Sequence, residues 1–386
     1  MLILSSFFLV SISKADVSVQ DLLSLPGDDW VQANGDYTSS RYSTLSQINA
    51  NNAGNLEVKW VYSTGGTTNA QGTPVEHDGI VYIAQDNQVH AIDAATGGRV
   101  WRYDHELPED FGGQFNPFFT GKHRGVALHG KNAYFLANEC TIVALNLKTG
   151  DEAYSTKIDR PYPRNFETTP DGNGYFCTSQ AVALPDKLIV PMNATDTGGL
   201  QGYVHAHSYD DGSQIFAAPM IPQPGEPGAD TWPGDSRLYG GAGPWQGGSW
   251  DPDFKLYYTG TANAYPWNPY GERQGTGSEG NNSNDGAAAI VAVNTDTGKV
   301  PWRYTVVPGD PWDYDAQQTP ILTVIDGQKV LLQANKTGYV HYLDALTGKF
   351  LQAPQIADKI TWANGYDSDG NPIWAQAVPE EGVEVI

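Results

Sequence analysis

The stretch VHAIDAATGGRVW, Val89–Trp101, decides the fold because it recurs. It returns as IVALNLKTGDEAY (Ile142–Tyr154), VHAHSYDDGSQIF (Val204–Phe216), IVAVNTDTGKVPW (Ile290–Trp302) and VHYLDALTGKFLQ (Val340–Gln352). Each copy alternates apolar and polar residues, turns at a polar run ending in glycine, and resumes as a second strand. Alternation with period two is the strand signal, and glycine supplies the positive φ of a tight turn. The turn glycines are Gly97, Gly150, Gly212, Gly298 and Gly348. A further strand precedes most copies, as in GIVYIA (Gly79–Ala84), NAYFL (Asn132–Leu136), KLIV (Lys187–Val190) and KVLLQ (Lys329–Gln333). Three or four strands per unit of roughly 50 residues or more is the pattern of a β-propeller blade. The fold class is therefore all-β. The uneven spacing predicts long loops, the richest at 160–178, 220–248 and 263–286. Such loops carry function.

Composition agrees. Among 386 residues, 43 Gly and 25 Pro argue against long helices, and 40% hydrophobic content suffices for a core. Lys+Arg number 22 against 44 Asp+Glu, a net charge of −22. That balance excludes nucleic acid as a partner and disfavours an anionic membrane surface. The apolar run MLILSSFFLVSIS (Met1–Ser13) is too short to span a bilayer, and Ser13-Lys14-Ala15 resembles a cleavage site. Residues 1–15 thus read as an export signal and 16–386 as one propeller domain, periplasmic or secreted. No later stretch reads as a transmembrane helix. Cys140 and Cys177 either pair in an oxidising compartment or lie buried as thiols.

Several motifs carry no function. Gly275–Gly280 (GTGSEG) matches a dinucleotide fingerprint but lacks the strand–turn–helix context. Asp367–Asn371 (DSDGN) begins like a calcium loop, yet Val378 stands where the bidentate Glu belongs, so it reads as a turn. His205 and His207 share one strand face without a third ligand, which favours a structural role. Three segments remain. Asp313 and Asp315 in DPWDYD (Asp310–Asp315) would point the same way if extended and share a cation; otherwise they form an acidic loop. Asn263 in GTANAYPWN (Gly260–Asn268) offers an amide oxygen to a hard cation or caps a turn. Trp245 in GAGPWQGGSW (Gly241–Trp250) suits a platform under a planar ligand, or core packing.

Together with the entry Asp29-Trp30…Arg41-Tyr42-Ser43-Thr44-Leu45…Ile48-Asn49, these segments make residues 28–374 resemble the pyrroloquinoline-quinone (PQQ)-dependent alcohol dehydrogenases of the methanol/ethanol type. The resemblance implies an eight-bladed propeller, of which this sequence supplies five to six blades, incomplete at its C-terminal end. It implies PQQ on a Trp245 floor, contacted by Gln71 (where the family has Glu), Arg124, Thr178 and Lys336. It implies Asp313 as catalytic base, and a Ca2+ or lanthanide ion on Asn263, Asp313, Asp315 and Asp196. The family's ligating Glu falls on Asp196 or Thr197, depending on the alignment. Asp315 matches the extra carboxylate of lanthanide-using members. The family's adjacent cysteines are replaced by Phe118 and Phe119. The implied reaction is oxidation of a small alcohol to an aldehyde, with electrons passing to a periplasmic c-type cytochrome. The missing cysteines and the displaced Glu support an alternative, a non-catalytic binding propeller.

Overall fold

A computed structural model describes residues 16–66, 70–109, 121–159, 177–192, 200–234, 236–238, 240–265 and 283–375. The export signal therefore lies outside the described residues.

Among the described residues, five four-stranded antiparallel sheets and one two-stranded sheet follow one another along the chain. The first comprises β1 (Val75–His77), β2 (Ile80–Gln85), β3 (Gln88–Asp93) and β4 (Arg99–Asp104). In the next three, the strands run from β5 (Ala127–His129) to β8 (Glu152–Lys157), from β9 (Val182–Ala183) to β12 (Gln214–Pro219), and from β13 (Ser249–Asp251) to β16 (Trp302–Thr305). The fifth runs from β17 (Ile321–Ile325) to β20 (Phe350–Gln352), and β21 (Ala363–Tyr366) pairs with β22 (Pro372–Trp374). Each sheet is a meander with neighbours in chain order, as propeller blades are. Five full sheets and a partial sixth agree with the five to six blades expected.

The recurring hairpin is the third and fourth strand of each blade. In four of the five copies an Asp or Asn caps the turn: Asp93 Oδ1 accepts from the Thr96 amide at 2.8 Å and from the Thr96 hydroxyl at 2.8 Å. Asn294 does the same for Thr297. This explains the Asp/Asn-x-x-Thr-Gly spelling. The glycine has a second reason, invisible in sequence. An aromatic ring from the preceding blade's outer strand lies on it. Trp101 lies on Gly150, Phe216 on Gly298, Trp302 on Gly348 and Phe350 on Gly370. The Trp101 indole also donates to Leu147 O at 2.9 Å, and that of Trp302 to Leu346 O at 3.1 Å. Trp60 makes the same contact with Gly97 and Ala94, from an extended segment that precedes β1.

His205 and His207 are buried with stacked rings, each held through Nδ1, by Gln214 and by Gly212 O. Among the described residues no third ligand groups with them, which is in keeping with a structural role. Asp367 caps the β21–β22 turn through the amides of Asp369 and Asn371, so that segment is a turn. Cys140 and Cys177 form a disulfide with Cα atoms 5.1 Å apart.

The N-terminal segment runs across the blades' inner strands. Tyr37 donates its hydroxyl to Ala183 O at 2.7 Å, stacks edge-on against Trp250 and accepts the Trp250 amide at 2.8 Å. Thr38 O accepts from Leu322 N at 2.9 Å. One short segment thus ties β9, β13 and β17 together. Among the described residues, no helix is long and apolar enough to cross a membrane.

Candidate active site

The loops leading into the inner strands converge at one place. Gln71 and Thr73 precede β1, Arg124 precedes β5, Gln180 precedes β9, Trp245 precedes β13 and Thr319 precedes β17. All six line one cavity of about 340 Å³. That volume lies in the range of small-molecule sites.

Trp245 is half-buried, and the Arg124 guanidinium stands over its indole at 4.4 Å. Arg124 Nη1 donates to Thr178 O at 3.1 Å and also to the Thr178 hydroxyl. Cys177, one residue before, is the disulfide partner of Cys140, and its carbonyl accepts from Asn138 Nδ2 at 2.9 Å. The disulfide therefore pins the segment that holds Arg124. His123, beside Arg124, is fully buried, and burial lowers its pKa to about 3. Its neutral Nε2 accepts from the Asn87 amide at 3.0 Å. Gln71 is exposed on the cavity rim.

A second cluster lies on adjoining loops. The Asn263 backbone N–H donates to Asp315 Oδ1 at 2.8 Å, and Ala316 N donates to Thr261 O at 3.1 Å. Lys336 Nζ donates to Asp315 Oδ2 at 3.0 Å, to Asp313 O at 2.7 Å and to Asp313 Oδ2 at 3.4 Å. Burial lowers the Lys336 pKa, but Asp315 and then Asp313 outweigh it and hold the ammonium above its usual range. Asp313 has φ of 61°, so the pair is not locally extended. The two carboxylates nevertheless share one cation, and that cation is Lys336. Asp315 is buried, whereas the Asp313 side chain is 41% exposed.

The clusters are joined by Gln317, which the sequence reading missed. Its carboxamide accepts from the Trp245 amide at 3.0 Å and donates to Gly243 O at 2.6 Å. Ala242 N donates to Asn263 O at 3.0 Å. The platform and the acidic cluster thus form one hydrogen-bonded unit. Nothing in the local spelling of Gln317 sets it apart from a core glutamine.

The cluster has the features of a hard-cation site. Asn263 is 1% exposed and its Oδ1 has no hydrogen-bond partner, while its Nδ2 donates to Ala264 O. A buried unpaired acceptor costs free energy unless a donor or cation meets it. The lysine ammonium between the carboxylates shows that they attract positive charge. Oxygen donors of this kind suit calcium or a lanthanide. Among the described residues, no three His, Cys, Asp or Glu side chains group as a metal site. Asp196 and Thr197, the remaining candidates for a ligand, lie outside the described residues, as do Phe118 and Phe119.

Comparison with known proteins places this arrangement. The family described as "PQQ: Glucose/ethanol/alcohol dehydrogenase, beta-propeller domain" matches residues 30–354. Quinohemoprotein alcohol dehydrogenase ADH IIB of Pseudomonas putida is 32% identical over 379 residues, covering 93% of this chain and 52% of its own. The 1-butanol dehydrogenase (cytochrome c) of Thauera butanivorans is 29% identical, covering 90% of this chain and 50% of its own. A europium-containing methanol dehydrogenase structure superposes with a TM-score of 0.79 at 26% identity, covering 92% of this chain and 63% of its own. This chain spans about half the length of the two curated relatives. With its blades, cavity and cluster in this order, the chain belongs to the PQQ-dependent alcohol dehydrogenase β-propeller family.

Proposed function

We propose that this chain provides the cofactor and metal site of a periplasmic alcohol dehydrogenase. Supporting the reading most directly is the buried, unpartnered Oδ1 of Asn263, a residue whose backbone amide donates to Asp315. Asn263, Asp313 and Asp315 would hold Ca2+ or a lanthanide, with a further ligand from Asp196 or Thr197. Asp315, a carboxylate additional to Asp313, favours a trivalent ion by charge balance. Bound PQQ would accept the hydride equivalent from the alcohol carbon, and the cation would supply Lewis acidity.

The chain's own residues do the rest. Asp313, the more exposed carboxylate, takes the hydroxyl proton as general base. Lys336 fixes both its carbonyl and its carboxylate. Trp245, braced by Gln317, supports the planar ring system from below. Arg124, oriented by Thr178, pairs with a ligand carboxylate, and Gln71 contributes a neutral contact at the rim. A planar ligand stacking on the indole would take the place that the Arg124 guanidinium occupies in this structure. The substrate is a small alcohol, and a c-type cytochrome takes the electrons. The disulfide suits an oxidising compartment.

The test is to add PQQ with Ca2+ or La3+ to the purified protein and follow alcohol-dependent dye reduction. Asp313→Asn should lower turnover by about 10²- to 10⁴-fold while leaving quinone binding intact. Unchanged turnover in that variant would remove Asp313 from the chemistry.

A further inference from the structure

The cavity contains a residue that the resemblance does not place there. Arg41 lines it together with Arg124. The lining contains two guanidiniums, several carboxamides and no carboxylate. In a chain with 44 acidic and 22 basic residues, that is a local reversal of charge. Among the described residues, Arg41 has no carboxylate within ion-pair distance.

Arg41 is also held deliberately. Its φ of 52° is in the left-handed region, which an arginine occupies only when its surroundings impose it. Asp36 imposes it by accepting from the Thr38 amide and hydroxyl and from the Ser40 hydroxyl. The Arg41 amide donates to Asn34 O at 2.9 Å, and its Nη2 donates to Asn34 Oδ1 at 2.8 Å. The turn itself is tied to β9, β13 and β17 through Tyr37 and Thr38. The guanidinium is thus aimed, with donors to spare, from a fixed base.

We infer that Arg41 is a second carboxylate anchor of this cavity, acting with Arg124 on a planar ligand that carries several carboxylates. Under the proposed function that ligand is PQQ, so this inference deepens that reading. Asn34 is the positioning residue that orients the guanidinium.

The test is equilibrium binding, read by quenching of tryptophan fluorescence, with three probes: PQQ, its trimethyl ester, and benzene-1,3,5-tricarboxylate. Arg41→Gln should weaken PQQ and the tricarboxylate about tenfold or more and leave the ester unchanged, the scale of one lost charge-assisted bond. Arg41→Lys should fall between, since it keeps the charge without the fork. Asn34→Ala should weaken the same two probes less, and serves where Arg41→Gln does not fold. Equal weakening of all three probes, or none, would overturn the inference. If the wild-type chain binds the tricarboxylate through Arg41 but not PQQ, the anchor stands and the quinone reading falls. If it binds none of the probes, both fall.

Discussion

Lys336 sits where a cation belongs, which makes it both a brace and a competitor. Its ammonium bridges Asp315 and Asp313, the two carboxylates proposed as metal ligands. Lys336→Met should therefore tighten lanthanide binding by about tenfold, since a unit charge a few ångströms away is removed. Terbium luminescence, sensitised by the nearby tryptophans, would measure it. Unchanged affinity would show that metal and lysine occupy different oxygens. At this scale the sequence was partly legible. Asp313, Asp315, Asn263, Trp245, Arg124 and Thr178 stand out as candidates because family segments spell them out, and the fold gathers them into two joined clusters. Arg41 was quoted in such a segment, yet its side chain's destination depends on a left-handed turn that no local pattern announces. Gln317 was missed because its partners are 72 and 74 residues away.

Two elements make separable predictions. Adding a Cβ at Gly150 would place it 2.7 Å from Trp101 Cδ2, at φ of 75°. Gly150→Ala should cost roughly 2–4 kcal/mol, from backbone strain plus a displaced ring. Gly130, at φ of 56° with nothing within 4 Å, is the control, and Gly130→Ala should cost about 1 kcal/mol. Urea denaturation midpoints would compare them. The disulfide closes a sequence separation of 37 residues. Cys140→Ser with Cys177→Ser should lower stability by roughly 3–4 kcal/mol on a chain-entropy estimate. It should also loosen Thr178 and weaken quinone binding, which fluorescence titration would detect. Pairing was not legible, because it depends on bringing a hairpin turn and a distant loop to the same point. The hairpins were legible because their turn chemistry repeats in four of the five copies and the turn glycine in all five.

The whole molecule carries several buried neutral imidazoles. Burial lowers His123, His205 and His341 from 6.5 to about 3. Below pH 6.5 the unfolded chain takes up protons that the folded chain refuses. Stability from these groups is thus complete above pH 6.5 and lost as pH falls toward 3, at about 1.4 kcal/mol per pH unit for each histidine. His341→Val should remove one such proton from the slope. Valine is the residue that the matching positions 143 and 291 already carry. Urea unfolding between pH 7.5 and 4.5 would show the change. An unaltered slope would show that His341 is already protonated in the fold.

The rings that lie on turn glycines couple each blade to the next one in the chain. Trp101, Tyr154, Phe216, Trp302 and Phe350 each reach one blade forward, and Trp60 reaches the first blade from the segment before it. Such a chain of pairwise contacts behaves as a nearest-neighbour array, in which interior units are held from both sides. Weakening one such contact should therefore loosen the two blades it joins before it affects more distant ones. The cavity takes its lining from inner-strand approaches on all five full blades, so the ligand site exists only while the array remains zipped. A ligand bridging Arg41, Arg124 and Trp245 would consequently slow hydrogen exchange across blades that it never touches.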